Sequence, residues 1–168
     1  GVEYELCGKV IVATDEREAA VLEELYRRGV ANGVEGLRKI GPEELREIEP
    51  HAAGVAALHS PQTGIIDFRR VAGVLAARLR DAGAELWTGA ALEAIQVQGA
   101  RLGLVTRRGD LEARFLINCA GLYADRVARL AGAEPGLAII PFRGEYYWIV
   151  PERRDLVRGL IYPVPDPR

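Results

Sequence analysis

Phe115-Leu-Ile-Asn-Cys-Ala-Gly-Leu-Tyr-Ala-Asp-Arg-Val-Ala-Arg-Leu-Ala-Gly132 is the stretch on which the reading of the fold turns. Residues 115–117 form a short apolar run of the kind a buried strand shows, and Asn118 to Gly121 is a run of small residues closed by a glycine. After it, Leu122, Val127, Leu130 and Ala131 recur at helical spacing. The pattern predicts strand, tight turn, helix. In an open α/β sheet a ligand sits beyond the carboxyl ends of the strands, where small residues let backbone amides approach a nucleotide. An ordinary strand-to-helix turn gives the same spacing, because no complete G-x-G-x-x-G is present.

Working outward, Gly83, Gly89, Gly99 and Gly109-Asp110 punctuate four short strands expected over 84–88, 92–97, 101–107 and 111–118. An amphipathic helix over about 68–82 precedes them, with Val71, Val74, Leu75, Leu79 and Ala82 as its apolar stripe. Upstream, residues 8–14 read as a strand, and Asp15 with Glu18 is a capping-box signature for a helix ending near 29–33. Residues 37–40 are extended, Pro42 opens a short helix that Pro50 terminates, and 55–59 is a strand. Residues 138–140, 142–150 and 160–162 are strand-like, aromatic and punctuated by proline. The expected fold class is mixed α/β. Part of a Rossmann-like nucleotide lobe, residues 67–132, is interleaved with a mixed or antiparallel sheet lobe contributed by 1–66 and 133–168.

The stretch 115–132 resembles the late Ala-Gly turn of the D-amino-acid-oxidase-like flavoproteins. Four further strings narrow the likeness: Cys7-Gly-Lys-Val-Ile-Val-Ala-Thr14, Pro61-Gln-Thr-Gly-Ile-Ile-Asp67, Pro141-Phe-Arg-Gly-Glu-Tyr-Tyr147 and Ile161-Tyr-Pro-Val-Pro-Asp-Pro167. In this order they resemble the L-2-hydroxyglutarate oxidase/dehydrogenase family of FAD enzymes across nearly the whole chain. The resemblance implies an FAD-binding lobe facing a substrate lobe, and oxidation of L-2-hydroxyglutarate to 2-oxoglutarate by hydride transfer to flavin. It also implies that this chain is the middle of a larger enzyme, an expectation supported by the lack of any methionine. Family members carry an N-terminal phosphate-binding strand and turn, so weak or absent FAD binding, and inactivity, are expected of this chain alone. A related oxidase of an amino acid or of glycerol 3-phosphate, or a folded but non-catalytic module, are the competing readings.

Site residues follow from both sources. Ala120 and Gly121, flanked by Cys119 and Leu122, are the cofactor candidates, since lack of bulk is what a close backbone approach requires. Leu92 joins them through the resemblance, its alternative being a plain core residue. Asp125 and Arg126 read as capping or surface charges. Arg143 is the substrate candidate, because a guanidinium can hold a carboxylate bidentately; a salt bridge to Glu145 competes with that role. Tyr146 is a second substrate candidate, with Tyr147 on the opposite side of a regular strand. Tyr162 shares the ambiguity. His59 could accept a proton but reads better as structural, and His51 as exposed. The resemblance places the catalytic base before residue 1, so no catalytic residue is named here.

Composition excludes several classes. At 168 residues, 49% hydrophobic, the chain can bury one core or two small ones, and a formal net charge of -2 offers nothing to nucleic acid. No run approaches the roughly 18 apolar residues of a membrane span, so no integral membrane segment is expected. Two cysteines, Cys7 and Cys119, and two scattered histidines provide neither a disulfide framework nor metal-ligand spacing. A cytoplasmic protein with a small 2-hydroxy acid substrate is the expectation, with peripheral membrane attachment of the parent left open. Unpaired strand edges would favour self-association.

Overall fold

The computed structural model describes residues 1–165. The last two residues of the string that ends at Pro167 therefore lie outside the described residues. The chain forms two compact units: Gly1–Ala77 together with the chain from Tyr147 onward, and Arg78–Tyr146.

In the first unit, β1 (Tyr4–Glu5) is followed by β2 (Lys9–Ala13), the helix α1 (Glu16–Ala31), β3 (Arg38–Ile40), α2 (Pro42–Ile48), β4 (Ala56–Ser60) and β5 (Ile65–Ile66). The helix α3 (Phe68–Asp81) leads into the second unit, which holds β6 (Leu92–Gln98), β7 (Arg101–Thr106), β8 (Gly109–Ala113) and α4 (Ala124–Leu130). The last strand, β9 (Leu160–Pro163), returns to the first unit.

The sheet of the first unit has the order β3-β4-β2-β9, with β2 antiparallel to β4 and parallel to β9. Strand period explains why Lys-Val-Ile-Val-Ala lacks polar alternation. Val10 and Val12 pack with Ile40, Leu45 and Ala57 on one face, while Ala13 meets Leu22, Leu58 and Val164 on the other. Because α2 contributes Leu45 and α1 contributes Leu22, both faces are covered. The helix ends follow local chemistry. Asp15 accepts the N–H groups of Arg17 and Glu18, each at 2.9 Å. Glu18 reaches back to the Thr14 N–H and hydroxyl rather than to Asp15, a capping box displaced by one residue. Gly33, at φ +72°, lies just past the Asn32 cap of α1.

Glu49 closes this unit. It is 2% exposed, and its carboxylate accepts the N–H of Arg158 at 3.0 Å and of Gly159 at 2.6 Å. A β-carbon at Gly159 would stand 2.5 Å from the Cys7 carbonyl, so only glycine lets β9 approach β2 at this point. The carboxylate thus fixes the entry of the parallel edge strand.

The second unit is thinner. β6, β7 and β8 form an antiparallel meander, with Gly99 at φ +62° in the two-residue loop between the first two. Leu104 is its one buried apolar side chain among the described residues, and α4 packs against β6.

Four expected strands are corrected. Residues 84–88 form a loop between Gly83 and Gly89, both at positive φ; Arg108 lies over the Trp87 ring and bonds the Thr88 carbonyl, so side chains rather than a ladder hold the segment. The strand expected over 111–118 stops at Ala113, and Phe115 is 85% exposed. Residues 138–140 and 142–150 are likewise not in strands, with Trp148 92% exposed. The physical reason is common to the last three. A strand exists only where a neighbour takes its backbone groups, and no described segment lies alongside these runs. The apolar stripe of α3 is also uncovered: no residue of that helix is buried, and Leu75 is 54% exposed. Among the described residues no helix is long and apolar enough to cross a membrane.

Candidate functional site

The turn after residue 117 is built from Asn118 onward. The Asn118 side-chain oxygen accepts the Ala120 N–H at 3.2 Å, and its amide nitrogen donates to the Ala124 carbonyl at 2.8 Å. Ala120 has φ -77° and ψ 8°, Gly121 follows at φ +55°, and a single 3-10 turn over Gly121–Tyr123 leads into α4. A right-handed residue followed by a left-handed one turns consecutive N–H groups toward one side, the arrangement that receives anionic or carbonyl oxygens. Gly121 meets this requirement without strain.

The N–H groups of Cys119, Gly121 and Leu122 have no internal acceptor among the described residues, and a β-carbon at Gly121 would meet nothing within 4 Å. Free donors, absent bulk and open space are what a dinucleotide cofactor needs from a backbone turn. Cys119, Ala120, Gly121 and Leu122 are therefore brought together as expected of neighbours. Leu92 begins β6, paired with Thr106, and α4 packs against that strand, so Leu92 belongs to the same small layer.

Asp125 is more than a surface charge. It is 8% exposed and accepts from Arg126 N–H at 2.8 Å, Arg129 Nη1 at 3.0 Å and Ile139 N–H at 3.4 Å. Burial pushes its pKa up, but the Arg129 hydrogen bond, the two backbone donors and the Arg129 charge together bring it below the ordinary 3.8. Arg129 also donates to the Leu137 carbonyl at 3.3 Å. The pair ties the segment after α4 back onto the helix.

Arg143 and Tyr146 lie on the exposed extended segment beyond that tie. Arg143 stands 3.7 Å from Glu145, the competing ion pair of the sequence reading, and its side chain remains largely in solvent. Among the described residues no hydrogen bond or ion pair joins Arg143 or Tyr146 to the turn. Tyr147 is equally exposed.

In the first unit, His59 is half-buried on β4, and its Nδ1 lies 3.3 Å from Arg38 Nη2. Partial burial and the Arg38 charge hold its pKa below 6.5, against a smaller pull from Glu44. A guanidinium can only donate, so Nδ1 accepts from it, in keeping with a structural histidine. His51 is exposed. Tyr162 lies beneath Lys9 Nζ, 5.5 Å from the ring centre. Cys7 and Cys119 are free thiols. Among the described residues no group of His, Cys, Asp or Glu could hold a metal ion.

Sequence reasoning passed over Asn118 and Glu49. An asparagine two residues before Ala120 carries the signal of an Asx-turn, which would have found the first. Nothing local announces the second, whose partners are more than a hundred residues away.

Comparison with known proteins completes the picture. The model of the family described as FAD dependent oxidoreductase matches residues 1–168. The chain is 45% identical over 167 residues to L-2-hydroxyglutarate dehydrogenase of Indibacter alkaliphilus, covering 99% of this chain and 42% of that protein. It is 40% identical over 180 residues to the mitochondrial L-2-hydroxyglutarate dehydrogenase of Bos taurus, covering 100% and 39% respectively. The chain thus spans about two fifths of the length of these curated relatives. Among solved structures, L-proline dehydrogenase from P. horikoshii superposes with a TM-score of 0.80 at 18% identity, over 97% of this chain and 44% of that one, a likeness of fold.

Proposed function

This chain belongs to the FAD dependent oxidoreductase family, and from that membership we propose that it is part of an enzyme oxidising L-2-hydroxyglutarate to 2-oxoglutarate. The observation that carries the substrate is the match of nearly the whole chain to dehydrogenases named for it. When bound, FAD supplies the acceptor for the hydride leaving the hydroxyl-bearing carbon.

The chain's own residues bind and orient. Gly121 and Leu122 offer backbone N–H donors to the cofactor, while Ala120 and Gly121 keep the approach free of side chains. Cys119 flanks them, and Leu92 would contact the cofactor through its backbone. Arg143 pairs with a substrate carboxylate, exchanging the Glu145 contact for a bidentate one. Tyr146 donates its phenol to the same substrate. Residues 67–132 serve the cofactor, and residues 1–66 and 133 onward serve the substrate. The protein's partner is accordingly a small 2-hydroxy acid.

A flavin fluorescence titration of the full-length enzyme of which this chain is part, followed by anaerobic addition of candidate reductants, tests this reading. Saturable FAD binding and bleaching by L-2-hydroxyglutarate are expected of that enzyme, and weak or no binding of residues 1–168 alone. Bleaching by glycine, proline or glycerol 3-phosphate alone would move the substrate to the related oxidases, and no saturable response would remove the cofactor assignment.

A further inference from the structure

We propose that Asn118 is a positioning residue that holds the Ala120-Gly121 turn in its cofactor-receiving shape; the inference rests on the flavin reading above. Its carboxamide is the only side chain among the described residues that bonds into the turn, and it does so at both ends: the oxygen accepts the Ala120 N–H and the nitrogen donates to the Ala124 carbonyl. The residues between carry little to hold themselves. Ala120 and Gly121 have no polar side chain, and Leu122 and Tyr123 are exposed. Glycine at φ +55° is also the residue with the most conformations to lose.

The two hydrogen bonds divide the labour. By accepting from Ala120, the oxygen sets the bend that precedes Gly121, where the Gly121 and Leu122 N–H groups have no internal acceptor among the described residues. By donating to Ala124, the nitrogen anchors that bend to the first residue of α4. A donor pair held in place before the ligand arrives does not have to be ordered when it arrives, so affinity gained here is gained by pre-organisation. Asn118 touches no cofactor atom in this account; it acts through Ala120, Gly121 and Leu122.

Two substitutions separate this role from general stability. Asn118→Ala removes both bonds, while Asn118→Ser keeps a short acceptor able to form the equivalent local turn and loses the long-reach donor. FAD affinity by fluorescence titration, amide hydrogen exchange at residues 120–122 and the thermal midpoint are measured for the full-length enzyme, unsubstituted and carrying Asn118→Ala or Asn118→Ser. The alanine variant is expected to bind FAD about tenfold more weakly, with faster exchange at 120–122, and the serine variant to recover about half of that loss on a logarithmic scale. Thermal midpoints should stay together, because the side chain is exposed and buries no core. Equal FAD binding by all three proteins would overturn this inference alone. So would a loss that follows the thermal midpoint and is not relieved by serine. Absence of saturable binding by the unsubstituted full-length enzyme would overturn the flavin reading, and this inference with it.

Discussion

Residues 10–12, Val-Ile-Val, and residues 115–117, Phe-Leu-Ile, are near twins in sequence. Each is a short apolar run that ends in small or polar residues and then a helix. The first is the centre of a sheet, with Val10 and Val12 buried between α2 and the sheet; the second is unpaired, with Phe115 and Ile117 in solvent. Nothing in the local pattern separates them. What separates them is company: β2 has β4 on one side and β9 on the other, whereas no described strand flanks 115–117. An apolar run therefore states a capacity to be buried, and other segments decide whether that capacity is used.

The largest expected effect is at the residue that keeps that company in place. Glu49→Ala would take the acceptor away from the N–H groups of Arg158 and Gly159 and loosen β9 from β2. Because hydrogen bonds to a charged group contribute about 1.5–3 kcal/mol each and are not additive, a loss of about 3 kcal/mol in the first unit is expected. Urea denaturation would measure it, and amide exchange would place it: faster in 9–13 and 160–162, unchanged in 92–113. Uniform loosening of both sets would mean that Glu49 does not act through β9.

A matched pair of substitutions tests the twins directly. Val12→Thr puts a hydroxyl into a filled layer with no partner in reach and should cost about 2 kcal/mol. Ile117→Thr changes a side chain already in water and should stay within about 0.5 kcal/mol. The exposed member carries a different consequence. Phe115, Ile117, Tyr147 and Trp148 leave apolar surface uncovered, so the protein should self-associate as concentration rises. Light scattering should report less association for a Phe115→Ser, Ile117→Thr protein than for the unsubstituted one. A concentration-independent monomer in both would break the link between unpaired runs and association.

Much of this structure was legible one segment at a time. Asp15 announced the start of α1, Gly33 its end, Pro42 the first turn of α2, and Gly99 the β6–β7 loop, because each acts on backbone within a few residues. The bend at Ala120 and Gly121 was legible for the same reason, since both residues are small wherever the rest of the chain goes. Glu49 and Asp125 were not legible in role. A buried carboxylate is defined by its donors, and those donors, Arg158, Gly159 and Ile139, are brought to it by the fold. The mistaken strands fail by the same logic, with partners assumed where none of the described segments supplies them.

The smallest effect distinguishes the two units by acid. In the first unit, His59 has a folded pKa below 6.5, chiefly through partial burial and then through the Arg38 charge. Its neutral form is favoured in the folded state, so its contribution is complete above pH 6.5 and is lost as pH falls through the lowered folded value. In the second unit, Asp125 is held below 3.8 against the opposing effect of burial, by Arg129 and two backbone N–H groups. Its contribution is complete above pH 3.8 and is lost only below it, as the carboxyl protonates through the folded value. Lowering pH should therefore accelerate amide exchange around β4 first, just below neutrality, and around α4 only in stronger acid. His59→Gln should abolish the first step and Asp125→Asn the second, each without moving the other. A single simultaneous transition in both substituted proteins would show that the acid response belongs to neither residue.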